Sequence, residues 1–233
     1  MTAKDIQKQL EAYSTPEKRD FLPYFFKTGK GQYGEGDKFL GVVVPDTRKV
    51  AKSNKETSFV EIEKLLNNEY HECRLCALLL FVERFKKADA VEQKRIVDFY
   101  LSHTSRINNW DLVDLSAKDI VGEYLVTKED RSILYHLADS DLLWDQRIAI
   151  IATFAFIKRG DMKDIISLSE KLLHHKHDLM HKAIGWMLRE VGKRDKQILC
   201  NFLDKYHTQM PRTMLRYSIE KFTSEERTHY MKK

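Results

Sequence analysis

The chain has 233 residues, of which 32% are charged and 42% hydrophobic, a composition typical of a soluble protein that buries a sizeable core. No apolar run approaches the ~18 residues of a membrane span, and the first residues lack the apolar core of a signal peptide. These features argue against a membrane or secreted protein and predict a cytoplasmic one. With only 9 Gly and 4 Pro, few sheet-type turns are available, so an all-α fold is favoured. Three cysteines cannot all pair with one another, which also fits a reducing compartment.

The positive charge is concentrated toward the end of the sequence. The formal net charge is +5, and residues 158–233 carry +7 against −2 for residues 1–157. A basic segment of this kind suits a polyanionic partner such as nucleic acid or an anionic surface. The alternative, that these charges only solvate helix faces, is left open by composition.

In chain order, the first 57 residues predict short amphipathic helices around a glycine-rich loop. Ser14 and Thr15 form a cap before Pro16 at a first helical position, a typical helix start. We expect helices over residues 3–13, 16–27 and 45–53, and a loop over residues 28–37.

A repeat of helix pairs follows this region. The first helices of the pairs are predicted over residues 58–66, 88–103, 127–138, 161–175 and 194–207. The second helices are predicted to begin near His71, Trp110, Trp144, Asp178 and Pro211, 33 to 39 residues apart. Because such a pair buries its apolar face only by stacking on its neighbours, this period predicts an α-solenoid of HEAT-like repeats. We expect one domain over residues 1–233, with about five helix pairs over 58–222 and a C-terminal tail over 223–233.

The glycine-rich loop contains a G-x-G-x-x-G spacing from Gly29 to Gly34. A dinucleotide-binding fingerprint needs a preceding strand and a βαβ unit, whereas a helical pattern precedes this one. An ordinary surface loop is therefore predicted, and its backbone N–H groups and Lys30 are candidates for a phosphate contact.

Cysteine and histidine residues give no metal signature. Cys73 and Cys76 form a single C-x-x-C in a leucine-rich helix, and a zinc site would require a second pair, so we expect core packing. A histidine cluster lacks the H-E-x-x-H pattern and has one nearby carboxylate; its members are His174, His175, His177 and His181. We predict a polar or phosphate-facing surface there, and neither a metal nor a cofactor.

Trp110 and Asp114 are the most informative residues. They lie four positions apart at a predicted helix start, so their side chains are expected on one side of the helix. The other second helices have a basic residue near their start, namely Arg74, Arg147, Lys182 and Arg212. A carboxylate at a core boundary is costly unless it is paired or used, and Arg147 is a candidate partner for Asp114. A purely structural Asp–Arg pair remains the alternative.

Three motifs carry a family resemblance. W-D-x-V-D at 110–114, W-x-Q-R at 144–147 and K-A-I-G-W-x-L-R-E at 182–190 resemble the AlkD family of bacterial alkylpurine DNA glycosylases. The resemblance extends from about Tyr24 to Phe222. It implies a solenoid whose concave face binds duplex DNA, and release of N3- and N7-alkylated purines without turning the base out of the duplex.

The resemblance also implies site residues. Asp114 falls on the catalytic aspartate, Arg147 on its paired arginine, and Trp110 and Trp186 on the two site tryptophans. Tyr24 falls on an N-terminal site tyrosine, although the glycine-rich insert is longer than in some members. The DNA-binding residues that we expect are Tyr24, Lys30, Arg74, Lys182, Arg189 and Arg212.

These residue types suit the implied chemistry. A purine alkylated at N3 or N7 is already cationic and leaves without a strong general acid, so the oxocarbenium-like sugar is what needs stabilising. Asp114 would supply the anion, and the tryptophan faces would attract the developing positive charge. We expect a monomeric DNA-alkylpurine N-glycosylase acting on double-stranded DNA. The alternatives are a non-catalytic duplex-DNA-binding HEAT-repeat protein and a protein-binding HEAT scaffold.

Overall fold

A computed structural model describes residues 1–232, and the chain divides into two compact units, Met1–Ser116 and the residues from Ala117 onward. Every regular element in residues 1–232 is helical, apart from one isolated parallel bridge between Lys38 and Tyr70. The predicted all-α class, with the paired helices of an α-solenoid, is confirmed. None of the helices in this range has both the length and the apolar character needed to cross a bilayer.

The first unit contains short helices whose starts are fixed by side-chain caps. Thr2, Thr15, Ser58 and Asp89 each accept a backbone N–H of the first helical turn, which satisfies a donor that the helix leaves unpaired. The helices are α1 (Ala3–Glu11), α2 (Pro16–Phe25), α3 (Val44–Ser53), α4 (Phe59–Leu66), α5 (His71–Phe85), α6 (Ala90–Ser102) and α7 (Trp110–Asp114), with a 3₁₀ turn at Thr104–Arg106.

Helix α5 is the core of the first unit. It packs against α1, α3, α4, α6 and α7, and thirteen of its fifteen residues are buried. Cys73 and Cys76 are fully buried within it as free thiols, as the sequence predicts for core packing. Burial raises the pKa of the Cys76 thiol to about 12, so it stays protonated and unreactive at neutral pH.

The second unit repeats the pairing of helices around α13. Its helices are α8 (Glu123–Leu125), α9 (Ser132–Ala138), α10 (Leu143–Ala152), α11 (Phe154–Ile157), α12 (Lys163–Lys171), α13 (Asp178–Gly192), α14 (Lys196–Tyr206), α15 (Arg212–Ser218) and α16 (Ser224–Met231), preceded by a π-helical turn at Lys118–Gly122. The second-helix starts at 71, 110, 143, 178 and 212 lie within one residue of the predicted positions.

Helices α13 and α15 approach closely at Gly185. A Cβ atom at this position would lie 2.5 Å from the backbone oxygen of Met214 and 2.6 Å from Cβ of Tyr217. Both distances are too short for any side chain, so only glycine permits this contact. The glycine of the K-A-I-G-W motif therefore sets how closely the two helices pack.

Three elements differ from prediction. The helix expected to start at 127 starts at Ser132, whose backbone N–H donates to Asp130 Oδ1 at 2.8 Å. The expected C-terminal tail contains α16, which begins with a capping box between Thr223 and Glu226. The second helix predicted to begin at Trp110 ends after five residues, well before the next helix, which was predicted over 127–138.

Candidate functional site

Trp110 and Asp114 occupy the first and last positions of α7. Asn109 is fully buried and caps the helix by accepting the Trp110 N–H at 2.8 Å, which fixes where the helix begins. Both side chains line the same cavity in the first unit, as their i,i+4 spacing predicts. The aromatic ring and the carboxylate are therefore presented together.

The cavity beside these residues has a volume of about 420 Å³, within the ~300–1,000 Å³ usual for small-molecule sites. Its walls are mostly apolar and include four aromatic residues. The apolar lining consists of Leu22, Phe25, Phe26, Phe39, Val42, Val43, Val44, Pro45, Leu75, Trp110 and Leu115. The ionisable lining residues are His71, Glu72, Asp111 and Asp114, so Lys and Arg are absent from the lining.

The indole of Trp110 is held by two phenylalanines at the end of α2. Its ring stacks on Phe26, with centroids 5.3 Å apart and 26° between the planes. Phe25 meets the indole nearly edge-on at 6.0 Å. Contacts of this kind fix ring orientation beyond what burial alone achieves, so Trp110 is a pre-oriented wall of the cavity.

Asp111, which follows Trp110, is held by a buried chain of charged groups. The His71 imidazole bonds to Asp111 at 2.8 Å and to Asp37 at 3.1 Å. Burial alone would lower the pKa of His71, but the Asp111 carboxylate, followed by Asp37, outweighs it and raises that pKa to about 9. The imidazole is therefore a cation at neutral pH and donates both hydrogen bonds.

Arg74 belongs to this buried chain, and its side chain is only 2% exposed. Its Nη2 donates to Asp37 Oδ1 at 2.5 Å, and its Nη1 donates to the backbone oxygens of Asn68 and Glu69. This environment does not allow the DNA contact that the sequence predicts for Arg74. The residue stabilises the loop that precedes α5 instead.

Asp37 was missed by the sequence reasoning, which treated residues 28–37 as an ordinary loop. Burial opposes the ionisation of Asp37, but His71 and Arg74 outweigh that effect and lower its pKa. The last residue of the glycine-rich loop is thus an anchor for α5. No local pattern marks it, because its partners lie 34 and 37 positions further along the chain.

Glu72 is a second carboxylate that the sequence did not single out. It is 1% exposed and accepts the backbone N–H groups of Leu40, Gly41 and Val42 at 2.9 to 3.0 Å. These bonds compensate the burial of its charge. Glu72 therefore fixes the cavity wall formed by residues 40–42.

Tyr24 lies outside this cavity. It is 84% exposed and lines a separate groove of about 610 Å³ beside Lys27 and Gly29. Its neighbour Phe25 is the aromatic residue that faces Trp110. Lys30, on the glycine-rich loop that follows α2, is exposed. Tyr24 and Lys30 are therefore both accessible from solvent.

Arg147 and Trp186, the two site residues predicted in the second unit, each contact a neighbouring helix. Arg147 is 4% exposed and donates from Nη1 to the Leu179 backbone oxygen at 2.5 Å, which ties α10 to the start of α13. Trp186 is half-buried and lies 6.2 Å from the ring of Phe154. Each is thus held in place by a neighbouring helix.

The three basic residues of the second unit that were predicted to bind DNA have different partners in the structure. Lys182 pairs with Asp178 one turn earlier at 2.7 Å, and Arg189 pairs with Glu220. Arg212 is exposed and donates to the Met231 backbone oxygen at 2.8 Å. Surface pairs of this type contribute little to stability, so Lys182 can exchange its partner for a phosphate at little cost.

The histidine cluster is held by local hydrogen bonds. His175 Nε2 lies 2.7 Å from Gln146 Oε1, and the His181 ring bonds to the backbone oxygen of His175. Burial lowers the pKa of His175 and of His177, so both are mainly neutral at pH 7. Within residues 1–232, no group of three or more His, Cys, Asp or Glu side chains is arranged to hold a metal ion.

Comparison with known proteins places the chain in a class of repair proteins. The sequence model of a family described as DNA alkylation repair enzyme matches residues 6–222, nearly the whole chain. The protein therefore belongs to the DNA alkylation repair enzyme family, as the sequence resemblance led us to expect.

A solved structure shares the fold. It is that of a predicted DNA alkylation repair enzyme from Enterococcus faecalis, with 14% identity and a TM-score of 0.71, and the match covers 91% of this chain and 97% of that one. A search of curated proteins found no match.

Proposed function

We propose that this member of the DNA alkylation repair family is a glycosylase. It hydrolyses the N-glycosidic bond of cationic N3- or N7-alkylated purines in duplex DNA. The observation that carries the proposal is the joint placement of Trp110 and Asp114 on one turn of α7, beside an apolar cavity.

Asp114 supplies the negative charge that the reaction needs. The alkylated purine leaves with its bonding electron pair and becomes neutral, which leaves positive charge on the sugar. A carboxylate in apolar surroundings stabilises this charge more than it would in water. The same carboxylate accepts a proton from the attacking water as the C1′–O bond forms.

Trp110 contributes a pre-oriented aromatic ring and a second attraction for the positive charge that develops on the sugar. Its indole is stacked on Phe26, so its position is set before DNA binds. The π face of an indole attracts positive charge within about 6 Å of its centroid. Trp186 on α13 and Arg147 on α10 are proposed as the further sugar and phosphate contacts that the family resemblance implies.

Binding to duplex DNA is assigned to basic residues of the second unit that are partly or fully exposed rather than to the buried Arg74. Lys182, Arg189 and Arg212 belong to the segment 158–233, which carries net +7. Phosphate contacts by such residues release counterions, so affinity should fall by about 0.9 log units per log unit of salt for each phosphate neutralised. Tyr24 and Lys30 are proposed as additional contacts from the first unit.

The test is release of N7-methylguanine from a duplex under single-turnover conditions by wild type, Asp114→Asn and a control, Asp141→Asn. Asp141 is an exposed aspartate of the second unit. Asp114→Asn keeps the side-chain shape and removes the charge, so release should slow by roughly 10²–10³. Duplex affinity should hold or rise, since a negative group has been removed from the DNA-binding site. The control should behave as wild type.

Two results would contradict the proposal. A folded Asp114→Asn protein with wild-type release would remove Asp114 from catalysis. Tight duplex binding by the wild type without release of N3- or N7-alkylated purines would indicate the non-catalytic DNA-binding alternative.

A further inference from the structure

Helix α7, which carries Trp110 and Asp114, has only five residues. An isolated helix shorter than ~12–15 residues is marginal in water, so contacts from outside α7 must set its position. We propose that Asp37 and His71 are positioning residues for the hydrolysis assigned to Asp114, because they tie the glycine-rich loop and α5 to the start of α7. This inference rests on the proposed function and concerns residues that act through α7 rather than on the DNA.

Asp37 lies where the glycine-rich loop, α5 and the start of α7 meet. Its carboxylate accepts hydrogen bonds from His71 Nδ1 at 3.1 Å and from Arg74 Nη2 at 2.5 Å. The side-chain amide nitrogens of Asn108 and Asn109 lie 3.5 Å from the same carboxylate, and Asn109 is the residue that caps α7. Asp37 therefore holds both the cap of the short helix and the imidazole that bonds to it.

His71 reaches α7 by two routes. Its Nε2 bonds to Asp111, the second residue of the helix, at 2.8 Å. Its ring also packs on Phe26, with centroids 4.8 Å apart, and Phe26 in turn stacks on the Trp110 indole at 5.3 Å. Phe39 packs on the same imidazole at 4.7 Å. Movement of His71 would therefore disturb the start of α7 and the indole together.

The geometry requires that His71 be a cation. Both ring nitrogens bond to carboxylates, so both must donate, which only the imidazolium can do. The side chains of His71, Arg74, Asp37 and Asp111 are at most 5% exposed, and their two positive and two negative charges then cancel. Loss of the proton would leave net negative charge in the core and break one of the two bonds, which is costly there. The ionisable groups that surround His71 are Asp37 from the loop, Asp111 and Asp114 from α7, and Glu72 and Arg74 from α5.

This proton gives the reaction an alkaline limit that the chemistry at the sugar does not have. No acid is needed to expel a cationic purine, so that step by itself does not require His71. Burial alone would lower the pKa of His71, but its two carboxylate partners outweigh burial and raise it to about 9. Excision should therefore be supported fully near pH 7 and decline as pH rises through about 9.

The first experiment measures single-turnover release of N7-methylguanine from a duplex at saturating protein, from pH 7 to pH 10. His71→Arg keeps a cation that can donate to both carboxylates but does not titrate in this range. Because N7-methylguanine itself loses a proton as pH rises, the ratio of wild-type rate to His71→Arg rate is compared at each pH. The ratio should fall by about tenfold from pH 7 to pH 10, because one unit above its pKa only about a tenth of His71 keeps the proton. A constant ratio would overturn the role of this proton.

A second variant does not depend on accommodating a larger side chain. Asp37→Asn keeps the side-chain shape and removes the charge, and it should slow release at pH 7 by up to about a hundredfold, the loss that a misplacement of about 1 Å can cause. Glu35→Gln is its control, because Glu35 lies on the same loop, is exposed and accepts only the Gly31 N–H at 2.8 Å. A merely structural role for Asp37 would lower the melting temperature without slowing release per folded molecule, and that result would overturn the proposal.

A measurement without DNA reports on α7 directly. Trp110 is the single tryptophan of a Trp144→Phe, Trp186→Phe background, and acrylamide quenching of its fluorescence measures how accessible it is. Adding Asp37→Asn should raise the quenching constant, whereas adding Glu35→Gln should leave it unchanged. Equal quenching in the two proteins would show that Asp37 does not fix the helix.

Failure of this inference can be separated from failure of the proposed function. If wild type and Asp37→Asn release the purine equally well, the positioning role fails and the glycosylase proposal stands. If wild type releases no alkylated purine, the glycosylase proposal fails, and the quenching measurement still decides whether Asp37 holds α7 in place.

Discussion

His71 Nε2 lies 2.8 Å from Asp111 Oδ2, and this bond connects the first residue of α5 to the second residue of α7. Asp111 stands between Trp110 and the rest of the helix that ends at Asp114. Because both partners are nearly fully buried, the ion pair is shielded from screening by salt. The orientation of the candidate catalytic helix therefore depends on a charged contact in the core.

The pH dependence of stability should reflect this contact. The folded-state pKa of His71 is raised from 6.5 to about 9, so its contribution is fully present below pH 6.5 and is lost as pH rises to about 9. A tenfold change in an acid dissociation constant corresponds to about 1.4 kcal/mol, which makes the contribution on the order of 3 kcal/mol. Urea denaturation of wild type should show stability decreasing from pH 6.5 to 9.

His71→Gln isolates that effect. The variant should lose stability at pH 6.5 and show a flatter profile up to pH 9, because the amide does not titrate. His136→Gln, at an exposed histidine, should keep the wild-type profile. A His71→Gln protein with the same pH slope as wild type would show that another group produces the slope.

Arg74 and Arg212, which were both predicted from the sequence to bind DNA, should respond differently to substitution. Arg74→Met removes one of the two buried cations that contact Asp37 and leaves only His71, so it should lower the free energy of unfolding by about 3–5 kcal/mol. Arg212→Ala should leave stability within about 0.5 kcal/mol. It should weaken duplex DNA binding and reduce the salt slope by about one unit.

Thermal melting and DNA titration at several salt concentrations measure both effects. At temperatures where Arg74→Met remains folded, its duplex affinity should equal that of wild type. If it lost affinity with unchanged stability, Arg74 would be a DNA contact after all.

Gly185→Ala should separate α13 from α15. The new Cβ would lie 2.5 Å from a backbone oxygen, which no side-chain rotation relieves, so we expect a loss of about 1–3 kcal/mol, typical of overpacking. Gly29→Ala is the control, because its Cβ would approach only the flexible Gln32 side chain, at 3.0 Å. Equal melting temperatures for wild type and Gly185→Ala would contradict the close approach.

The sequence by itself determined most of the helices and their order. Helix starts depend on local signals such as the Thr15 cap before Pro16, and on apolar spacing within about four residues. The same local geometry determined that Trp110 and Asp114 share one side of α7. Burial of Cys73 and Cys76 followed equally from the apolar run around them.

Tertiary structure decided which charged residues are buried and what they touch. Arg74 and Arg212 look alike in sequence, and only the position of Asp37, 37 residues before Arg74, places one in the core. Likewise, the choice between Tyr24 and Phe25 as the residue facing Trp110 depends on how the end of α2 is rotated. The cavity itself is formed by residues from 22 to 115. Such long-range arrangements arise from packing between helices, and no local pattern in the chain records them.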